Sequence, residues 1–92
     1  MTKSELINQV AATSGLSRKA AEQAVNTIFH CMTDALVRGD RIEIRGFGSF
    51  KTKHYAAYTG RNPKSGATIE VPAKVLPVWR VGRSLRLRLD ED

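Results

Sequence analysis

Cysteine is nearly missing from this 92-residue chain. The single Cys31 has no partner for an internal disulfide, and no second thiol or paired histidine stands at ligand spacing, so neither a staple nor a structural metal site is expected. Long apolar runs are missing too: none approaches the roughly 18 residues that cross a bilayer. The opening Met1-Thr2-Lys3-Ser4-Glu5 has no greasy stretch and no small-residue cleavage site, which sets the expectation of a cytoplasmic protein with no membrane partner. No glycine-rich phosphate loop, acidic pair or Ser-His-Asp set is present, and His30 and Cys31 have no partner for nucleophilic catalysis. An enzyme, a cofactor and a small-molecule substrate are therefore not expected. The length excludes a two-domain enzyme, while 41% hydrophobic and 26% charged residues are too apolar for a disordered chain and too charged for a membrane protein.

Acidic residues are scarce where it matters. Residues 1 to 40 carry four cations and four carboxylates, a net of zero, and look like scaffold. Residues 41 to 88 carry eleven cations against Glu43 and Glu70, a net of +9, before Asp90-Glu91-Asp92 return the total to +6. A basic half of this kind faces a polyanion, either nucleic acid or an anionic surface, or is a solvated face without a partner.

Thr2 and Glu5 form a capping box that starts a helix, Leu6, Ile7, Val10 and Ala11 recur at helical spacing, and Gly15 closes it. Ser17 caps a long second helix from Arg18 to Arg38, with an apolar stripe through Ala21, Val25, Ile28, Phe29 and Met32, stopped by Gly39. Two helices and a short turn could be a DNA-reading helix-turn-helix, but the second is too long and offers only Arg18 and Lys19 as readers. The period then drops to two: Arg41, Glu43 and Arg45 share one face of a strand, Ile42 and Ile44 the other. Gly46-Phe47-Gly48 turns the chain, Ser49 to Lys53 resumes extended alternation, and Thr59 to Gly66 is the turn-rich tip of a projecting two-stranded ribbon with limbs at His54 to Tyr58 and Thr68 to Val71. Val75 to Val81 is an apolar strand with Pro77 at an edge or bulge. From Ser84 to Leu89, strict alternation reads as strand, whereas Leu85 and Leu89 at i, i+4 allow a helix.

At the ribbon tip, Gly60-Arg61-Asn62-Pro63 joins two hydrogen-bonding side chains to a rigid ring. Arg61 and Asn62 suit the acceptor-rich floor of a DNA minor groove, and Pro63 suits a wedge that unstacks a base step; an ordinary surface turn uses the same residues. Lys51, Lys53, Lys64, Lys74, Arg80, Arg83 and Arg86 suit phosphate contact, or simple solvation. Glu43 can hold Arg45 in a fixed pose, or the two form an ordinary surface pair. Phe29, Phe47, Phe50 and Trp79 are expected in a core or a dimer interface.

Gly46-Phe47-Gly48-Ser49-Phe50, Gly60-Arg61-Asn62-Pro63-Lys64-Ser65-Gly66, and Pro77 with Trp79, Gly82, Arg83 and Leu85 together resemble the bacterial histone-like family of HU and integration host factor, over nearly the whole chain. The opening Met1 to Ile7 and the run Arg41 to Phe50 look most like the beta-type subunit of integration host factor. The resemblance implies an α+β fold in an intertwined dimer: a helical base from residues 1–39, a sheet saddle from 40–53 and 75–81, protruding arms from 54–74, and a short C-terminal helix over 83–90 that settles the ambiguity of that stretch. It implies a nucleoid-associated protein that bends and compacts double-stranded DNA, as a homodimer or as a beta-type subunit paired with a related chain and with sequence preference. It places Pro63 at a kink, Lys3, Arg83 and Arg86 along the DNA flanks, and Arg45, steadied by Glu43, in the minor groove.

The chain departs from that pattern. Tyr55 and Tyr58 stand where the family commonly has arginine, which implies weaker clamping by the arms or stacking on sugars. Pro72 removes a ladder donor, so the arm is expected to bend or pair less well there. Trp79 replaces a usual phenylalanine and needs space nearby. The acidic tail is placed to repel DNA near Arg86 and Arg88. An RNA-binding protein and a purely structural oligomer are the readings from other classes.

Overall fold

The first helix begins where the capping box places it. In the computed structural model, which describes residues 1–91, the Glu5 amide donates to the Thr2 hydroxyl at 3.1 Å and the Thr2 amide donates to the Glu5 carboxylate at 3.4 Å. Helix α1 (Lys3–Ser14) ends at a left-handed Gly15, and the Ser17 hydroxyl accepts from the Ala20 amide at 3.1 Å to open α2 (Arg18–Val37). The two pack through Ile7, Ala21 and Val25, each less than 5% exposed, with Leu6, Val10 and Ala11 around them. Burying a side chain the size of Ile7 contributes about 2 kcal/mol. Arg18 fastens the pair from the rim, its Nε donating to Asn8 Oδ1 at 3.0 Å and its Nη2 to Ser4 Oγ at 3.1 Å.

Among the described residues five strands follow: β1 (Ile42–Ile44), β2 (Gly48–Tyr55), β3 (Tyr58–Arg61), β4 (Thr68–Val71) and β5 (Lys74–Val81). All pairing is antiparallel, in a three-stranded sheet of order β1-β2-β5 and a two-stranded ribbon β3-β4. The main ladder runs further than the sequence suggests, to the rung Tyr55↔Lys74, and pairing resumes only at Tyr58↔Val71. The continuous limb expected over His54 to Tyr58 is therefore broken at Ala56-Ala57, opposite Pro72-Ala73. Pro72 has no N–H to give a ladder, so the interruption falls where the sequence places the weakness.

After β5, Gly82 donates from its amide to Phe47 O at 2.8 Å, and Leu85 donates to Gly46 O at 3.0 Å. A Cβ on Gly82 would sit 3.0 to 3.2 Å from the backbone of Gly46, Phe47 and Gly48, so any larger residue would require this backbone to give by a few tenths of an ångström. The docked turn starts α3 (Arg83–Glu91), where the family resemblance implies a helix over 83–90 and alternation alone reads as strand. Leu85 is its half-buried anchor.

Phe29, Phe47 and Trp79 are not core within one chain: they are 44%, 46% and 48% exposed. Trp79 lies on Phe47 and Phe50 with ring centroids 5.9 and 6.3 Å apart. The space for its indole comes from Gly48, where a Cβ would stand 2.6 Å from Nε1. The radius of gyration is 19.2 Å, against about 12 Å for a compact chain of this length.

Candidate nucleic-acid interface

Residues directly opposite in an antiparallel ladder project from the same face, and the register gathers the lysines and arginines of the sheet on one of the two. Phe50 opposes Ile42 and Trp79, Gly48 opposes Ile44 and Val81, Thr52 opposes Pro77, and His54 opposes Val75. That face is mainly apolar and carries no lysine or arginine. The other carries Glu43, Ser49, Lys51, Lys53 and Tyr55, opposed on β5 by Arg80, Val78, Leu76 and Lys74. Arg41 and Arg45 lie just outside β1 and line one cleft with Glu43, Ser49 and Arg80, which brings six cations to this side of the sheet against one carboxylate.

At one end of the face, Arg41, Glu43, Arg45, Arg80 and Arg83 line a shallow cleft of about 300 Å³. Arg41, not among the residues expected at the site, lines it with them; its alternation with Glu43 and Arg45 is the signal in the sequence. Glu43 does not pair with Arg45: the two ion pairs among the described residues are Arg18–Glu22 and Arg38–Asp40. Arg45 lies in the turn after β1 and both side chains are exposed, so nothing orders them against each other. At the other end of the face, the ammonium groups of Lys53 and Lys74 sit 5.4 and 5.8 Å from the centre of the Tyr55 ring.

The ribbon carries Arg61 at the end of β3, then Asn62, Pro63 and Lys64 at the tip, with Arg61, Pro63 and Lys64 exposed. Asn62 holds the tip together. Its Oδ1 accepts from the amides of Lys64 and Ser65 at 2.8 and 3.4 Å, while its own amide and carbonyl bond Ala67 and Gly66 at 2.9 and 2.8 Å. Only its side-chain NH₂ is left to donate outward. The exposed Pro63 ring is thereby presented on an ordered turn. Arg83 opens α3 beside the basic cleft and Arg86 stands one turn further on, whereas Lys3 opens α1 and belongs to the helical pair rather than to the sheet face.

This combination of a basic sheet face and a protruding proline-tipped ribbon has counterparts. Residues 1–90 match the profile of the family described as Bacterial DNA-binding protein. DNA-binding protein HU of Geobacillus stearothermophilus is 46% identical over 86 residues, spanning 94% of this chain and 96% of that one. Integration host factor subunit beta of Azoarcus sp. (strain BH72) is 54% identical over 91 residues, 98% of this chain and 97% of that one. Among solved structures, an Anabaena HU–DNA cocrystal structure superposes with a TM-score of 0.86 at 30% identity, covering all of both chains. The chain belongs to the bacterial DNA-binding protein family of HU and integration host factor, whose members are architectural proteins and not enzymes.

Proposed function

We propose that this protein is a nucleoid-associated protein of the cytoplasm that bends double-stranded DNA as a dimer, with the basic sheet face as its seat and the ribbons as arms in the minor groove. The observation that carries this is that Lys51, Lys53, Lys74 and Arg80 fall on one face of the sheet, with Arg41 and Arg45 beside them, while Ile42, Ile44, Phe50 and Trp79 fall on the other. Lys51, Lys53, Lys74 and Arg80 meet phosphates there, Arg45 lies at the groove beside them, and Arg83, Arg86 and Lys3 extend the contact along the flanks. Arg61, Asn62 and Lys64 hold the groove at the tip while Pro63 wedges a base step. Unstacking costs a few kcal/mol and is offset by the additional DNA brought onto basic surface.

The other face of the sheet supports the dimer. Among the described residues only Ile7, Ala21 and Val25 are buried hydrophobics, while Ile28 and Phe29 on α2 and Ile44, Phe47, Val75 and Trp79 around the sheet stay exposed. A second copy, or a related subunit, covers them. In this arrangement residues 1–39 form the dimer base and 54–74 the arms. Identities above half with integration host factor beta subunits favour a second assembly, in which this chain pairs with a different subunit and gains sequence preference.

Sedimentation of the protein alone, followed by anisotropy with a labelled random-sequence duplex, tests the assembly. A dimer with salt-sensitive duplex binding supports a self-sufficient protein. Duplex binding only after a related subunit is added supports the heterodimer, and no nucleic-acid binding in either case refutes both.

A further inference from the structure

The cleft of about 300 Å³ at the β1 end of the sheet gathers four guanidinium groups, those of Arg41, Arg45, Arg80 and Arg83, around Glu43 and Ser49. Separate segments supply them: the flanks of β1, the end of β5 and the start of α3. The floor is fixed by the ladder, in which Glu43 opposes Ser49 and Ser49 opposes Arg80. All four arginines are exposed, and among the described residues none of them is in an ion pair; the pairs that form are Arg18–Glu22 and Arg38–Asp40. Glu43, the one carboxylate in the cleft, is unpaired as well. Four like charges drawn together against one carboxylate raise a strong local positive potential, and an anion from outside is the complement this arrangement lacks.

We propose that this cleft binds a short chain of phosphates joined through bridging oxygens, as in inorganic triphosphate or the tail of a nucleoside triphosphate, and that the bound chain competes with DNA. On DNA a sugar separates each phosphate from the next and the duplex is stiff, so few of its phosphates reach one small cleft. In a triphosphate successive phosphorus atoms share an oxygen, so several negative charges fall within it together. Each guanidinium is a planar fork that takes two oxygens of a phosphate, and the Ser49 hydroxyl is a further donor. No aromatic ring lines the cleft, so a base has nothing to stack on and the phosphates alone are read. Arg45, Arg80 and Arg83 are assigned to DNA in the function proposed above; the competition rests on that reading, whereas the binding of the phosphate chain does not.

The test is calorimetry of the full-length protein, without DNA and without magnesium, against inorganic triphosphate, ATP and orthophosphate. Triphosphate should bind once per chain and at least about tenfold tighter than orthophosphate, the worth of one more charge-assisted bond, with ATP equal to triphosphate within a few fold. Arg41→Gln with Arg80→Gln should weaken triphosphate by about a hundredfold, one such bond for each guanidinium, and Glu43→Gln should tighten it. Lys53→Gln with Lys74→Gln removes the same charge from the far end of the face and should change little. Triphosphate no tighter than orthophosphate, an equal loss in the two double variants, or ATP bound far tighter than triphosphate overturns the proposal. Anisotropy with a labelled duplex then reads the competition: triphosphate should release the duplex at concentrations where sodium chloride of equal ionic strength does not. Triphosphate that binds without releasing the duplex overturns the competition, whereas a protein that binds no duplex at all counts against the function proposed above and leaves the calorimetric result standing.

Discussion

Replacing Lys51 and Lys53 by glutamine removes two cations from the middle of the basic face without touching the apolar one, since both lie on the exposed side of β2. Each phosphate neutralised on B-DNA contributes about 0.9 to the slope of log affinity against log salt. In a two-fold dimer the double substitution removes four such contacts, so the slope should flatten by about 3.6. Between about 50 and 200 mM salt, that difference amounts to roughly 150-fold less loss of affinity than the wild type shows. Fluorescence anisotropy with a random-sequence duplex at five salt concentrations measures it. Lys19→Gln, in the electrically neutral helical half, is the control and should leave the slope unchanged. A slope that is unaltered in the double variant, or that falls equally in the control, would refute the placement of DNA on this face.

Other perturbations separate the parts. Pro63→Ala should leave the dimer intact and the affinity within a few fold, yet reduce DNA bending measured by energy transfer between end-labels, because the ring and not a hydrogen bond is lost; unchanged bending sinks the wedge. Tyr55→Arg with Tyr58→Arg should tighten intact-duplex binding and steepen the salt slope by up to about 3.6, the worth of four added cations per dimer, and an unchanged slope would show that these positions do not reach phosphate. Gly48→Ala places a Cβ 2.6 Å from Arg80 O and from the Trp79 indole nitrogen. The overpacking should cost about 1 to 3 kcal/mol, visible as a lower urea midpoint followed by the fluorescence of the single tryptophan. No shift in the midpoint would mean the strands separate freely there.

Much of this was legible in the residues because short-range chemistry decides it. Thr2 with Glu5, Ser17 and Gly15 fix helix ends through bonds within four residues, and alternation from Arg41 to Lys53 already separates cations from apolar residues. Pro72 announced the interrupted ladder by lacking an N–H. What sequence could not give depended on partners distant along the chain. Ser84 to Leu89 alternates like a strand but folds as a helix because Gly82 and Leu85 bond to the turn at Gly46 and Phe47. The Glu43–Arg45 pair, plausible on a strand face, does not form because Arg45 lies beyond the strand in an exposed turn. Asn62 looked like a groove reader, and its oxygen turns out to be committed to the tip. Phe29, Phe47 and Trp79 satisfy the sequence expectation only as an interface, since one chain leaves them half exposed.

In the function proposed, this chain bends duplex DNA by seating it on a basic sheet face between two proline-tipped arms. Energy transfer across an end-labelled random-sequence duplex, titrated with the protein alone at several salt concentrations, tests it most directly. A large rise in transfer at low salt, lost as salt increases, is the expected result. Binding at low salt with no change in end-to-end distance would contradict the account.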